Sequence, residues 1–191
     1  MAIETRTRIS NAAYERLALA DDDRKWALWD GVLREKPGMS AAHNEVGFEL
    51  GHMLRSQLKR TDYRVRVDSG KVHRPGATYF IPDVFLVPTG YVTPKLDQRG
   101  LEIYAQRLPL VVEIWSPTTG DYDIREKLAV YRQRGDLEAW FIHPYKRTLI
   151  AWPRQSDGSY EKSIFTSGIV RPVALPGVEI DLEALFSGIA P

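Results

Sequence analysis

Apolar and polar positions along the chain sort into helix-like and strand-like stretches with few gaps between them. Over residues 41–58, Val46, Leu50, Met53, Leu54 and Leu58 recur at the spacing of a helix with one core-facing stripe, and Ser40 stands where an N-cap belongs. Gly47 and Gly51 lie near that stripe at up to ~1 kcal/mol each against alanine, which points to close packing on a sheet. Upstream, residues 11–20 read as a short helix. Asp30-Gly31 between apolar residues then predicts a two-residue hairpin turn, because a type I′ turn needs positive φ at both positions.

Residues 63–68 alternate like a half-exposed strand, and 78–87 (TYFIPDVFLV) read as a strand ending at Pro88. Pro82 cannot donate a ladder hydrogen bond, so an edge, a bulge or an irregular start falls just before Asp83. Residues 91–107 are too long for a simple turn. A buried strand follows over 109–115, then a helix to about residue 134 with Ile124, Leu128 and Tyr131 as its stripe and Gly135 as its C′ residue. Strands are expected over 137–143 and 147–152, one or two more over 160–165 and 171–175, and a short helix over 181–186. There is no internal repeat, low-complexity segment or linker, so one domain over 1–191 is the economical reading.

Composition narrows the picture modestly. The chain has 191 residues, 43% hydrophobic and 27% charged, and is long enough to bury a substantial core. With no cysteine, disulfides and thiolate metal sites are excluded, in agreement with a reducing cytoplasm. No stretch approaches the roughly 20 apolar residues needed to span a bilayer, and the N-terminus lacks the apolar core of a signal peptide. The chain is therefore expected to be soluble and cytoplasmic.

Formal charge is +1 overall but uneven, with Arg55, Lys59, Arg60, Arg64, Arg66, Lys71 and Arg74 set against Asp62 and Asp68. Such a run suits phosphate contact, and equally a solvated helix end followed by a polar strand face.

Three charges sit where desolvation penalises them. Glu113 interrupts Leu110, Val111, Val112, Ile114 and Trp115; Asp83 lies among Ile81, Phe85 and Val87; Lys127 flanks the stripe of the following helix. If the two strands are neighbours, the acids meet. Two carboxylates and a backbone carbonyl, here that of Ile114, suffice for magnesium (or manganese), a hard ion that keeps several waters. A lysine beside it would orient a water and stabilise charge on a phosphoryl group, the chemistry of phosphodiester hydrolysis. Each residue also has a purely structural reading: Asp83 bonding a turn backbone, Glu113 pairing with an arginine, Lys127 pairing with Asp123 at i, i+4. His43 and His52 do not form the i, i+4 pair of a zincin helix, and Glu45 and Glu49 between them do not complete that motif. No P-loop, dinucleotide fingerprint or G-x-S-x-G elbow is present.

I-P-D-V at 81–84, V-V-E-I-W-S-P at 111–117 and D-I-R-E-K-L-A-V-Y at 123–131 resemble the PD-(D/E)XK nuclease superfamily. More narrowly they resemble its Uma-type family of restriction-endonuclease-like proteins. W-x-L-W-D-G-V-L at 26–33, His43, G-D-L-E-A-W-F-I-H-P at 135–144 and the closing P-G-V-E-I-D-L-E-A-L-F extend the likeness over about 25–187. The resemblance implies an α/β (α+β) fold, a central mixed sheet flanked by helices with an N-terminal hairpin. It implies Asp83, Glu113 and Lys127 as catalytic residues, the two acids with the Ile114 carbonyl as metal ligands, and His43, Glu45, Glu49, Asp123 and Tyr131 as accessory candidates. It further implies a magnesium-dependent endonuclease acting on DNA (RNA is the other nucleic-acid candidate), as a homodimer because one site cuts one strand. Two departures stand out. Trp115 holds the usual lysine position two residues after the glutamate, so Lys127 on the helix must replace it. Ala27 stands where relatives often carry a glutamate, with Glu35, Glu45 and Glu49 as possible substitutes. These departures keep a second reading open, an inactive nucleic-acid-binding or assembly module on a nuclease scaffold.

Overall fold

The computed structural model describes residues 7–21, 23–117 and 122–189. In chain order its elements are helix α1 (Asn11–Ala20), strands β1 (Trp26–Trp29) and β2 (Val32–Glu35), helix α2 (Ala41–Gln57), and strands β3 (Tyr63–Val67), β4 (Lys71–Arg74), β5 (Thr78–Phe80) and β6 (Val84–Pro88). A short helix α3 (Thr89–Val92) runs into a 3-10 turn (Thr93–Lys95), followed by β7 (Ile103–Tyr104), β8 (Leu110–Ile114), helix α4 (Tyr122–Arg134), β9 (Glu138–His143) and β10 (Thr148–Pro153). Strands β11 (Ser163–Phe165), β12 (Ile169–Val170) and β13 (Ile180–Asp181) and helix α5 (Leu182–Leu185) complete the chain.

The central sheet has six strands in the order β11-β10-β9-β8-β6-β3. Strands β8 and β9, joined through α4, are parallel, whereas β6 runs antiparallel to β8, so the sheet is mixed. Alternation along the strands splits the core in two. Val84, Leu86, Val112 and Ile114 pack with Val46, Leu50 and Leu54 of α2 and with α5, while Phe85, Val87 and Val111 pack with Leu128 and Tyr131 of α4. Helix α2 comes close to the sheet because of its glycines: a Cβ on Gly51 would lie 2.6 Å from Val67 Cγ2, and one on Gly47 3.4 Å from Ile114 Cδ1. Ser40 caps α2, accepting from the His43 N–H.

A second sheet, β2-β1-β5-β4-β7, carries the hairpin, with Asp30 at φ 42° and Gly31 at φ 82° in its turn. It packs through Tyr79 and Leu28 on Tyr14 of α1.

Three expectations need correction. The 78–87 strand is divided, β5 belonging to the hairpin sheet and β6 to the central one, with 81–83 crossing between them at Pro82. Residues 91–107 carry the end of α3, the 3-10 turn and β7 rather than a plain loop. Residues 171–175 form no strand; β12 and β13 pair on either side of them. Asp123 and Ile124, named above, lie outside the residues whose side chains the structure describes.

Candidate functional site

Asp83 and Glu113 come together. Register between β6 and β8 pairs Val84 with Val112, and one further residue places Asp83 opposite Glu113, the separation of cross-strand neighbours. The Asp83 N–H donates to the Val112 carbonyl (3.1 Å), and the Ile114 N–H donates to Asp83 Oδ2 (2.6 Å). Both carboxylates are buried, at 4% and 6% exposure.

Each carboxylate has its own cation. Lys127 Nζ lies 2.8 Å from Glu113 Oε2 and 5.9 Å from the centroid of the Phe80 ring. The Tyr131 hydroxyl donates to Glu113 Oε1. Lys127 and Tyr131 stand one helical turn apart on α4, so a single helix face holds both glutamate oxygens. On the other side, Lys36 Nζ lies 2.8 Å from Asp83 Oδ1. It also donates to Asp68 Oδ1 (2.7 Å) and the Ile81 carbonyl (3.2 Å), and its side chain is only 8% exposed. His43 Nε2 approaches Asp83 Oδ2 at 3.1 Å.

These contacts pull the two acids in opposite directions. Burial alone would raise the Asp83 carboxyl, but Lys36, His43 and Lys127 outweigh it and hold the group far below the usual carboxylate range. Burial raises Glu113; Lys127 offsets this only in part, and the neighbouring Asp83 charge adds to the rise. For Lys36 burial acts downward, and Asp83 and Asp68 overcome it, so its ammonium is held above the ordinary value.

Lys36 and Asp68 were not foreseen. Lys36 stands before Pro37-Gly38 at the hairpin's close, with no apolar flank to mark it as buried. Asp68 stands at the crossing from β3 to β4 with φ 46°, a conformation Asp tolerates better than most residues. The structure ties both to Asp83, since the Asp68 N–H also donates to the Asp83 carbonyl at 2.7 Å.

Of the accessory candidates, His43 and Tyr131 reach the acids. Glu45 is exposed and Glu49 half-buried, and among the described residues neither shares an ion-pair partner with Asp83 or Glu113; Glu35 is exposed. Ala27 lies in β1 opposite Arg34.

The basic run divides. Lys71 is buried and donates to the Trp26 carbonyl (3.2 Å), which corrects its place in a surface patch. Arg66 pairs with Glu102 and Arg74 with Asp30. Arg55, Arg60 and Arg64 stay near one another: burial and then the charges of Arg60, Arg66 and Arg55 lower the Arg64 guanidinium. Arg64 pairs across from Val87, near the end of β6 remote from Asp83.

Among the described residues no group of three His, Cys, Asp or Glu side chains is disposed to hold a metal ion. The donor set that does exist is two buried carboxylates whose mutual repulsion raises Glu113. A divalent cation relieves such repulsion, and magnesium needs few protein ligands, so the pair fits a hard ion.

The chain thus folds as a mixed central sheet with helices on both faces, α2 and α5 on one and α4 on the other. A crystal structure of "a putative nuclease belonging to DUF820 from Anabaena variabilis ATCC 29413" shares this fold, at a TM-score of 0.74 and 18% identity, over 91% of this chain and 96% of that one. The chain belongs to the Uma2 family, described as "Putative restriction endonuclease", whose model matches residues 12–183. No curated protein matches. Among the described residues no helix is long and apolar enough to cross a membrane.

Proposed function

We propose that the protein is a metal-dependent endonuclease hydrolysing DNA phosphodiester bonds, with Asp83, Glu113 and Lys127 as its catalytic residues. One observation carries the reading: two buried carboxylates face each other across adjacent strands, with a lysine amine 2.8 Å from one of them. Membership in the Uma2 family on a nuclease fold supports it.

Asp83, Glu113 and the Ile114 carbonyl would hold magnesium or manganese, which supplies Lewis-acid polarisation of the phosphoryl oxygen and a more acidic water. Lys127 orients the attacking water and stabilises the charge that builds on the phosphoryl oxygens. Tyr131 fixes the rotamer of Glu113. Lys36 and His43 keep Asp83 ionised and aimed. Arg55, Lys59, Arg60 and Arg64 are the basic residues left to meet the sugar-phosphate backbone. A pair of copies would cut both strands.

A second reading is a binding or assembly module without turnover. It is favoured by the position of Lys36, which already satisfies Asp83 Oδ1, and by Ala27.

The discriminating experiment incubates plasmid with the full chain and Mg²⁺ or Mn²⁺. Nicking is expected, abolished by EDTA and reduced at least 100-fold in Glu113→Gln, the order of loss when a group acting on the transition state is removed. Equal cleavage by that variant rejects the assignment. DNA binding in EDTA with no cleavage under either metal establishes the second reading.

A further inference from the structure

At the ends of β8 and β9 next to the acids lies an aromatic cluster that the catalytic scheme does not use. The Trp115 ring stacks on His143 with centroids 4.2 Å apart and planes 11° from parallel. Tyr145 meets both edge-on, 6.1 Å from Trp115 and 6.4 Å from His143. Backbone pairing explains the stack: β8 and β9 run parallel with Ile114 opposite Ile142, and the Trp115 N–H continues the ladder by donating to the Ile142 carbonyl at 2.8 Å. Trp115 and His143 are thus side by side, one strand period beyond Glu113 and Phe141 and on their face of the sheet.

The cluster is not sealed. Trp115 and His143 are both half-buried and Tyr145 is 38% exposed. Its frame is firm, however. The Tyr145 hydroxyl donates to Ser40 Oγ (3.3 Å), and Ser40 caps the helix whose first turn brings His43 to Asp83. His143 Nδ1 accepts from the Lys146 N–H (3.2 Å), which fixes the ring's orientation. Half-open aromatic rings on a braced frame, beside a buried acid pair, have the construction of a stacking platform rather than of a core.

We propose that Trp115, with His143 and Tyr145, is the site where a nucleobase of the substrate stacks next to the phosphodiester being cut. This rests on the nuclease reading above and adds to it the part of the substrate that is held. Two residues of strand separate Glu113 from Trp115, about 6.6 Å, comparable with the reach from a phosphate to its own base. Stacking needs an unpaired or extruded base, since a base within a duplex has no free face for an aromatic ring. The platform therefore assigns the substrate as nucleic acid whose base at the cut site is unpaired or drawn out of the stack, duplex opened at that step included, with little preference among bases, because every base offers a π-face.

The test is fluorescence anisotropy of the full chain in EDTA with two labelled probes of one length, a short oligothymidylate and the same phosphodiester chain without bases. Wild type is expected to bind the base-bearing probe about 5- to 150-fold more tightly. Trp115→Ala and Tyr145→Ala should reduce that preference, and Trp115→Phe should keep most of it. Tyr145→Ala alone carries the test should Trp115→Ala fail to fold. Equal affinity of wild type for the two probes, no binding of either, or an unchanged preference in both alanine variants overturns the platform. Nicking of plasmid by a wild type without base preference overturns the platform and leaves the nuclease reading standing; base preference without nicking does the reverse.

Discussion

At the scale of single residues, the centre is two adjoining acids flanked by two lysines, and Lys36 determines how the site behaves. Lys36→Met removes the main counter-charge of a carboxylate that is 6% exposed. Breaking a buried pair in this way costs about 3–5 kcal/mol. That corresponds to a fall in Tm of roughly 6–20 °C for a chain of this size. Under the nuclease reading Mn²⁺ should restore more Tm to this variant than to wild type, because the ion then enters beside Asp83 without competing with an ammonium. Thermal melts in EDTA and in Mn²⁺ check both. Lys71 makes a different prediction. Burial, then Lys25 and Lys36, lower its ammonium to about 8. Between that value and the unfolded value of about 10.4 the unfolded chain holds more protons, so this group's contribution to stability rises with pH. The Tm of wild type minus that of Lys71→Met should therefore rise from pH 8 to pH 10; a falling difference refutes the assignment. Asp83, Glu113 and Lys127 were legible because each is a charge among apolar neighbours. Lys36 was not, since its burial comes from a tertiary fold-back of the hairpin onto the β5–β6 crossing.

At the scale of elements, the acids depend on how closely α2 lies on the central sheet, for His43 rides on its first turn. Gly51→Ala gains up to about 1 kcal/mol of helix propensity. Its Cβ would stand 2.6 Å from Val67 Cγ2, and relieving such overpacking costs typically 1–3 kcal/mol. Gly47→Ala meets Ile114 Cδ1 only at 3.4 Å, an ordinary contact. Thermal melts should thus show Gly51→Ala destabilised and Gly47→Ala neutral or slightly stabilised; the reverse order would place α2 farther from β3. Helix α2, the Asp30-Gly31 turn, β8 and α4 were readable from period and caps, which act locally. The division of 78–87 was not: β5 and β6 are both apolar, and only the assignment of each to a different sheet separates them, a long-range event that Pro82 merely permits.

At the scale of the whole molecule, the chain passes from the central sheet to the hairpin sheet at Asp68 and returns at Asp83, and Lys36, at the end of β2, binds both crossings. The site is thus a seam between two sheets, where the hairpin's close, α2, the two crossings, β8 and α4 converge, and its ion pairs sit beside the apolar cluster of Val72, Phe80, Phe85 and Val111 that also joins the sheets. Asp68 tests the seam with a defined pH dependence. Burial would raise its carboxyl, but Lys36 and Lys25 outweigh this and lower it. A carboxyl depressed on folding adds stability above its unfolded value of about 3.9, lost as pH falls through the folded one. Asp68→Asn keeps a residue suited to positive φ and removes only the charge. Because the Asp68 side chain is 40% exposed, solvent screening limits the expected loss at pH 7 to about 1 kcal/mol, a Tm shift of roughly 2–4 °C. The gap between wild type and variant should close as pH falls below about 3.9. Asp68→Ala adds the strain of a left-handed conformation without a side-chain bond, so it should melt lower than Asp68→Asn at every pH. If the two variants melt together, the backbone at the crossing is relaxed and the seam is held by Lys36 and Asp83 alone.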